Sequence, residues 1–152
     1  MTLLQQPPVE SPWEKIDRIE TDMVRLPQVE CPLIHTFTPG LYSRQITMPA
    51  GTFLTSKIHL TEHPYVVSQG AVLVWIDGRV KEIKAPYMGV TMPGTRRVLF
   101  TLTETIWTTF HVTDETEVDR IEEQIILKRD EHLLIPEDFK LLVEGAIEGG
   151  VQ

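Results

Sequence analysis

The sequence predicts a mainly β protein, built as a sandwich or barrel, with a proline-rich segment before it and an acidic helical segment after it. Short runs rich in β-branched and aromatic residues recur from position 31 to 113, and Gly and Pro separate them without helical patterns between. After residue 113 the apolar residues recur at helical spacing instead. We therefore divide the chain into an N-terminal arm (1–30), a β-barrel domain (31–113) and an acidic helical tail (114–152).

The arm contains prolines at positions 7, 8, 12 and 27 and one short helical candidate around residues 13–19. Trp13, Ile16 and Ile19 are large apolar side chains in this candidate helix. We expect them to pack on the β domain of the same chain or on a neighbouring subunit, because removing large apolar side chains from water is favourable.

Six runs in the β domain are strand candidates, and a turn signal predicts that two of them form a hairpin. Asp77-Gly78 lies between two of these runs, and both residue types tolerate the positive φ angles that a two-residue hairpin turn requires. The runs are residues 41–48, 52–60, 65–76, 79–83, 96–102 and 106–112.

The tail predicts two helices. Asp114 is a candidate N-cap with Glu117 three residues on, the arrangement of a capping box, and Pro136 is a candidate start for a second helix. We interpret the first helix as an apolar stripe packed on the barrel or on a partner, with its acidic face in water. The stripe consists of Val118, Ile121 and Ile125.

Composition and charge exclude several classes of function. The net charge is −8, residues 1–113 hold ten acidic and ten basic side chains, and the whole excess lies in the tail. A nucleic-acid backbone would be repelled there and not attracted elsewhere, so nucleic-acid binding is disfavoured. No apolar run approaches the length that crosses a membrane, and the first residues lack the pattern of a secretion signal. Cys31 is the single cysteine, which fits a reducing compartment, and we predict a cytoplasmic protein.

Two histidines in "HLTEHPYVVSQG", residues 59–70, are candidate metal ligands. Alternate residues of a strand share a face, so Phe53, Thr55, Lys57 and His59 are predicted to point one way, and His63, Tyr65 and Val67 share a face of the next strand. If both strands line the interior, His59 and His63 converge, and imidazole nitrogen is a good ligand for Fe, Mn, Ni or Zn. The alternative is a pair of hydrogen-bonded polar residues at a strand end.

This stretch resembles the first motif of the cupin superfamily, a jelly-roll β-barrel fold. Gly51, His59, His63 and Gly70 occupy matching places, with His63 where the family has a glutamate and Lys57 in place of the first histidine. "GVTMPGTRR", residues 89–97, approximates the second motif. There Pro93 and Gly94 are present, and Arg97 stands in place of the last metal-binding histidine. The arrangement is further similar to small cupin-like proteins of bacteriophage genomes.

The resemblance implies a metal site, and the departures from it bring in cations. His111 shares a strand face with Trp107 and Thr109, and in a cupin-like fold its strand lies beside that of His63, which makes a third ligand available. Lys57 and Arg97 oppose a bound dication and suit a phosphate or carboxylate, with Arg96 beside them. Alternatively, they pair with glutamates at the rim.

Two further residues are candidates. Glu62 and Lys57 are the candidates for moving protons, and Glu62 is alternatively a fourth metal ligand, although beside an inward His63 it is expected to face outward. Tyr65 is a candidate ligand contact, with packing in the core as its alternative.

Three functions follow. The first is a metal-dependent oxygenase or isomerase acting on a small polar or anionic molecule. The second is a non-catalytic module that sequesters an anionic ligand, in the host cytoplasm if the protein is phage-encoded. The third is a structural protein, for example of a virion, with a vestigial pocket. The resemblance also implies a homodimer or larger homo-oligomer.

Overall fold

The computed structural model describes residues 9–127 and contains two antiparallel β-sheets that face each other as a jelly-roll sandwich. The five-stranded sheet has the spatial order β1 (Leu33–Thr38), β2 (Leu41–Met48), β10 (Thr105–Val112), β5 (His63–Gln69) and β8 (Tyr87–Thr91). The four-stranded sheet has the order β3 (Phe53–Thr55), β9 (Val98–Thr101), β6 (Ala71–Ile76) and β7 (Arg79–Lys84). A two-stranded ribbon joins β4 (Ile58–His59) to β11 (Ile126–Leu127), and the helices are α1 (Pro12–Met23) and α2 (Val118–Ile125).

The main core lies between the two sheets, which confirms the predicted jelly roll. Each sheet contributes its inward-facing apolar side chains, as expected for a sandwich in which one face of each sheet is buried. The strands do not close into a continuous barrel, because the described strands separate into two sheets and a ribbon. The core residues are Met48, Tyr65, Val67, Val72, Val74, Ile83, Leu99 and Trp107.

The run at 52–60 is not one strand. It breaks at residues 56–57 into β3 and β4, and the alternation changes across the break. Leu54 therefore packs against the core while Phe53 is 44% exposed. The prediction that Phe53 and His59 share a face is wrong for this reason, although His59 itself does point inward.

Two glycine-containing turns shape the neighbouring strands. Asp77 and Gly78 have φ angles of 48° and 76°, which confirms the predicted hairpin between β6 and β7. Gly70 divides the run at 65–76 into β5 and β6, with φ of 90°. A Cβ atom there would lie 2.2 Å from the Glu104 carbonyl oxygen, so only glycine fits.

Both helices differ from the prediction. Helix α1 spans Pro12–Met23 and so ends four residues beyond the predicted 19, while a capping box of Ser11 and Glu14 fixes its start at Pro12. Helix α2 begins at Val118 with Glu117 as its N-cap, so the prediction of Asp114 as the N-cap is wrong. The second helix predicted from Pro136 lies outside the described residues.

Helix α2 packs against the sandwich. Ile121 and Ile125 are buried with Tyr42 of β2 in a second apolar cluster. Both isoleucines belong to the predicted apolar stripe, which therefore faces the sandwich. Among the described residues, no helix has the length and apolar character needed to cross a bilayer.

Candidate metal centre

Three histidines from three strands converge at one end of the sandwich. His63 begins β5 and shares its inner face with Tyr65 and Val67, which are also buried, as predicted. His111 lies near the end of β10, which pairs directly with β5, so the predicted neighbourhood of these strands is confirmed. His59 is fixed through its backbone by β11, and its carbonyl oxygen accepts a hydrogen bond from the Gly94 N–H at 2.8 Å.

The three imidazole rings are in mutual contact. Their centroids are 4.3 Å apart for His59 and His63, 4.5 Å for His63 and His111, and 5.5 Å for His59 and His111. One ring nitrogen from each residue can be chosen so that all three lie within 4.8 Å of one another. The structure therefore brings together all three residues that the sequence offered as metal ligands.

The hydrogen bonds at two of these rings show which nitrogen is available. Nδ1 of His63 lies 2.9 Å from the Thr61 carbonyl oxygen, so Nδ1 carries the proton and donates, and the lone pair is on Nε2. Nε2 of His111 lies 2.9 Å from Thr109 Oγ1, which leaves Nδ1. His63 Nε2 and His111 Nδ1 are both buried without a hydrogen-bond partner among the described residues. Two buried ring nitrogens without partners are costly unless a ligand takes them, and a metal ion fits this donor set.

The environment keeps these imidazoles neutral. Burial, followed by the nearby His63, His111, Arg44 and Arg97, lowers the pKa of His59 to about 2. Burial, followed by His63 and Arg44, lowers the pKa of His111 to about 4. Burial also lowers the pKa of His63, against the opposing effect of the Thr61 carbonyl. Neutral imidazole is the form that binds metals, so at pH 7 no proton has to be released.

A cavity of about 180 Å³ opens beside His59 and His63. Part of its wall is apolar and part is basic, and none of its described lining residues is an aspartate or a glutamate. The cavity is therefore positively charged without a carboxylate of its own. Its lining residues include Ile46, Met48, Leu54, Leu99 and Trp107 on the apolar side, and Arg44, Lys57 and Arg97 as bases.

Arg97 lies in this cavity, as the sequence suggested. Its side chain is buried, its Nη1 donates to Thr91 Oγ1 at 3.1 Å, and its Nη2 has no partner among the described residues. The guanidinium carbon lies 5.1 Å from the centre of the Tyr65 ring, which itself stacks on Trp107 at 4.5 Å. Tyr65 is 1% exposed and supports Arg97 from the core; its direct contact with a ligand stays a prediction.

Arg96 points the other way. Its side chain forms ion pairs with Asp17 at 2.9 Å and Glu20 at 3.1 Å and lies over the Trp13 ring, all on α1. Successive residues of an extended segment face opposite sides, so Arg96 and Arg97 cannot enter the same cavity. The structure thus places the predicted ligand residue Arg96 outside the histidine cavity, in a larger groove of about 580 Å³ between α1 and α2.

The two candidate proton carriers are less well placed. Lys57 lines the rim of the histidine cavity, but its ammonium lies 3.2 Å from Glu122 of α2 and the side chain is 47% exposed. Glu62 is exposed in the bend between β4 and β5 and does not line the cavity. The expected outward orientation of Glu62 agrees with this position.

Arg44 is a site residue that the sequence analysis missed. It lies on the inner face of β2 between Tyr42 and Ile46, and its buried Nε has no partner among the described residues. The signal was present in "LYSRQITM", where the alternate positions carry Tyr42, Ile46 and Met48 and one charged residue interrupts an otherwise apolar face.

Comparisons with known proteins give matches in structure and none in sequence. No protein-family model matches the chain, and no curated protein matches it in sequence. Salicylate 1,2-dioxygenase from Pseudoaminobacter salicylatoxidans, in adducts with gentisate, matches 82% of this chain with a TM-score of 0.50 and 20% identity. The match spans 38% of the dioxygenase chain, so this chain corresponds to well under half of that protein.

Two further structural matches are cupins by description. A cupin superfamily protein from Desulfitobacterium hafniense matches over 75% of this chain and 97% of its own, with 8% identity and a TM-score of 0.48. A cupin-2 domain protein from Shewanella frigidimarina matches over 63% and 92%, with 9% identity and a TM-score of 0.45. The similarity to bacteriophage proteins stays a prediction. With its two facing antiparallel sheets and the histidines on their inner side, this chain has the cupin fold.

Proposed function

We propose that this protein binds one divalent transition metal ion through His59, His63 and His111, next to a cavity that takes a small anionic molecule. The observation that carries the proposal is the pair of buried ring nitrogens, His63 Nε2 and His111 Nδ1, that have no other partner among the described residues. A chance cluster of core histidines would be expected to satisfy both nitrogens of each ring.

The donor set limits the metals. Of the metals considered, Fe, Ni and Zn suit three neutral imidazoles without a carboxylate better than Mn, which prefers oxygen ligands. When bound, such an ion polarises an oxygen atom of a ligand in the same cavity. Thr61 and Thr109 hold the outer nitrogens of His63 and His111, which fixes the orientation of both rings.

The described protein groups around the cavity bind and orient more than they transfer protons. Arg97 lines the cavity and is held by Thr91 and by the Tyr65 and Trp107 rings, which restricts the movement of its guanidinium. Lys57 is the described lining residue best suited to move a proton, and only after its ion pair with Glu122 opens. An oxygenase or isomerase reaction at this site would therefore depend on the bound ion for most of its chemistry.

A second function, capture of an anion without turnover, is favoured by the charge of the cavity. Arg44 and Arg97 both present unpartnered nitrogens there, and no described carboxylate lines the cavity. Binding of an anion by these two arginines does not require that the anion react. Turnover of the bound anion in the metal-loaded protein, measured by loss of ligand over time, separates the two functions.

The test of metal binding is a competition titration of Zn²⁺ against a chromophoric chelator, using protein first stripped of metal. We expect one site per chain, and we expect His63→Ala and His111→Ala each to weaken binding more than about 100-fold, since even outer-shell changes cost about 10–100-fold. His35→Ala is the control, because His35 lies on β1 and is not part of the cluster. Equal affinity in wild type and His63→Ala would contradict the proposal.

A further inference from the structure

The histidine cavity carries two cationic side chains, the buried Arg97 and the partly buried Arg44, that no described carboxylate neutralises. Arg97 approaches from the segment before β9 of the four-stranded sheet, and Arg44 approaches from β2 of the five-stranded sheet. Each has a buried nitrogen without a partner, Nη2 of Arg97 and Nε of Arg44. A buried cation without a counter-charge is expensive, so the two sheets converge on a position that an anion would stabilise.

Part of the wall of the cavity is apolar. Ile46, Met48 and Leu54 line it together with Leu99 and Trp107. A fully polar anion such as inorganic phosphate would leave this wall wet or empty, whereas a molecule with one charged end and one apolar end would satisfy both sides.

The size of the cavity restricts the molecule further. Its volume is about 180 Å³. A cavity of roughly 150 Å³ is enough for a benzene ring, so a ring or short chain bearing a carboxylate fits and a nucleotide does not. The planar fork of a guanidinium matches a carboxylate with two parallel hydrogen bonds.

We propose that the anion is a small organic carboxylate with an apolar body, whose carboxylate binds Arg97 and Arg44 and whose body lies against Trp107 and its aliphatic neighbours. Arg44 is thereby assigned as a specificity-determining residue. The inference rests on the proposed function, because the carboxylate would lie in the cavity next to the metal ligands.

The experiment uses a matched pair of probes, 4-fluorobenzoate and 4-fluorobenzyl alcohol, followed by ¹⁹F NMR during titration into metal-stripped protein. The two probes share the ring and differ in charge. We expect saturable binding of 4-fluorobenzoate and binding of the alcohol that is weaker by about tenfold or more, since hydrogen bonds to a charged group are the strong ones. Unlabelled benzoate should displace the probe at lower concentrations than inorganic phosphate does.

The variants assign the effect to the two arginines. Arg97→Gln and Arg44→Gln should each weaken the binding of 4-fluorobenzoate by about tenfold or more and leave the affinity for the alcohol unchanged. Arg120→Gln, on the 64% exposed Arg120 side chain of α2, is the matched control and should bind like wild type. If thermal unfolding shows that Arg97→Gln is not folded, Arg44→Gln decides the question. Arg44 is only partly buried, so its replacement is expected to leave the fold intact.

Three results would overturn the inference: equal affinity for alcohol and benzoate, unchanged benzoate affinity in Arg44→Gln, or stronger displacement by phosphate than by benzoate. A Zn²⁺ titration of the same samples keeps the two proposals apart. Normal Zn²⁺ binding without benzoate binding would contradict only the inference of a carboxylate ligand. Absence of Zn²⁺ binding in wild type would contradict the proposed metal site.

Discussion

Arg96 and Arg97 are adjacent in the chain, equally buried and opposite in their surroundings. Arg96 is 4% exposed and meets two carboxylates and an indole ring of α1. Arg97 is 5% exposed and meets a threonine hydroxyl and two aromatic rings, with no described carboxylate. Burial alone therefore does not distinguish a structural charge from a functional one. The distinguishing feature is whether the fold supplies the counter-charge or leaves it to a ligand.

The largest expected effect is on the Arg96 side. Arg96→Met should lower the free energy of unfolding by about 3 kcal/mol, because Glu20 and Asp17 lose a buried partner while the rest of the interface stays. Urea unfolding measures the change, and the 4-fluorobenzoate affinity of the folded variant should equal that of wild type. A variant as stable as wild type would show that α1 is not held by this pair.

The next effect separates the two carboxylates. Glu20→Gln should lower the free energy of unfolding by about 1 kcal/mol, less than Arg96→Met, because Asp17 still pairs with the guanidinium. Asp17, whose side chain is 36% exposed against 15% for Glu20, should matter less when changed to Asn. The same urea series measures both variants, and a reversed order would contradict the role assigned to burial.

The corresponding change on the Arg97 side should alter stability little. Arg97→Met removes an uncompensated buried cation and also its contact with the Tyr65 and Trp107 rings, so the net change should stay below about 1 kcal/mol. With 4-fluorobenzoate at 100 times its wild-type dissociation constant, wild type should gain about 2.7 kcal/mol, whereas a variant weakened tenfold should gain only about 1.4 kcal/mol. A loss as large as that of Arg96→Met, in buffer without organic anions, would show that Arg97 is structural too.

The smallest effect concerns Lys57. Its ion pair with Glu122 is exposed on both sides, so Lys57→Ala should change the free energy of unfolding by about 0.5 kcal/mol or less, and less still at high salt. A matched Glu122→Ala variant should give the same value. Thermal unfolding at low and high salt measures the pair, and a loss above 2 kcal/mol would show that Lys57 fastens α2 to the sandwich.

Much of the site was predictable from the sequence because strand alternation is local. His63, Tyr65 and Val67 share a face, as do Trp107 and His111, and the pairing of their strands follows from the fold. The break at residues 56–57 was not predictable, since nothing in "TFLTSKIHL" forces two strands where one would fit. The pairing of β4 with β11 depends on residues 67 positions apart, which no local pattern reveals.

The fates of the two adjacent arginines were unpredictable for a similar reason. "GTRR" gives no sign of which guanidinium meets α1, because the partners Asp17 and Glu20 lie in a segment predicted only as an arm. Arg44 could have been found, since a charge on an otherwise apolar strand face requires a partner or a ligand.

The most direct test of the central claim is anomalous diffraction from crystals soaked in Zn²⁺. We predict one strong peak about 2.0–2.1 Å from His63 Nε2, from His111 Nδ1 and from one nitrogen of His59. The orientation of the His63 and His111 rings should be set by Thr61 and Thr109 as described above. A peak at the opposite nitrogens, a peak elsewhere with these three rings empty, or no peak at saturating Zn²⁺ would contradict it.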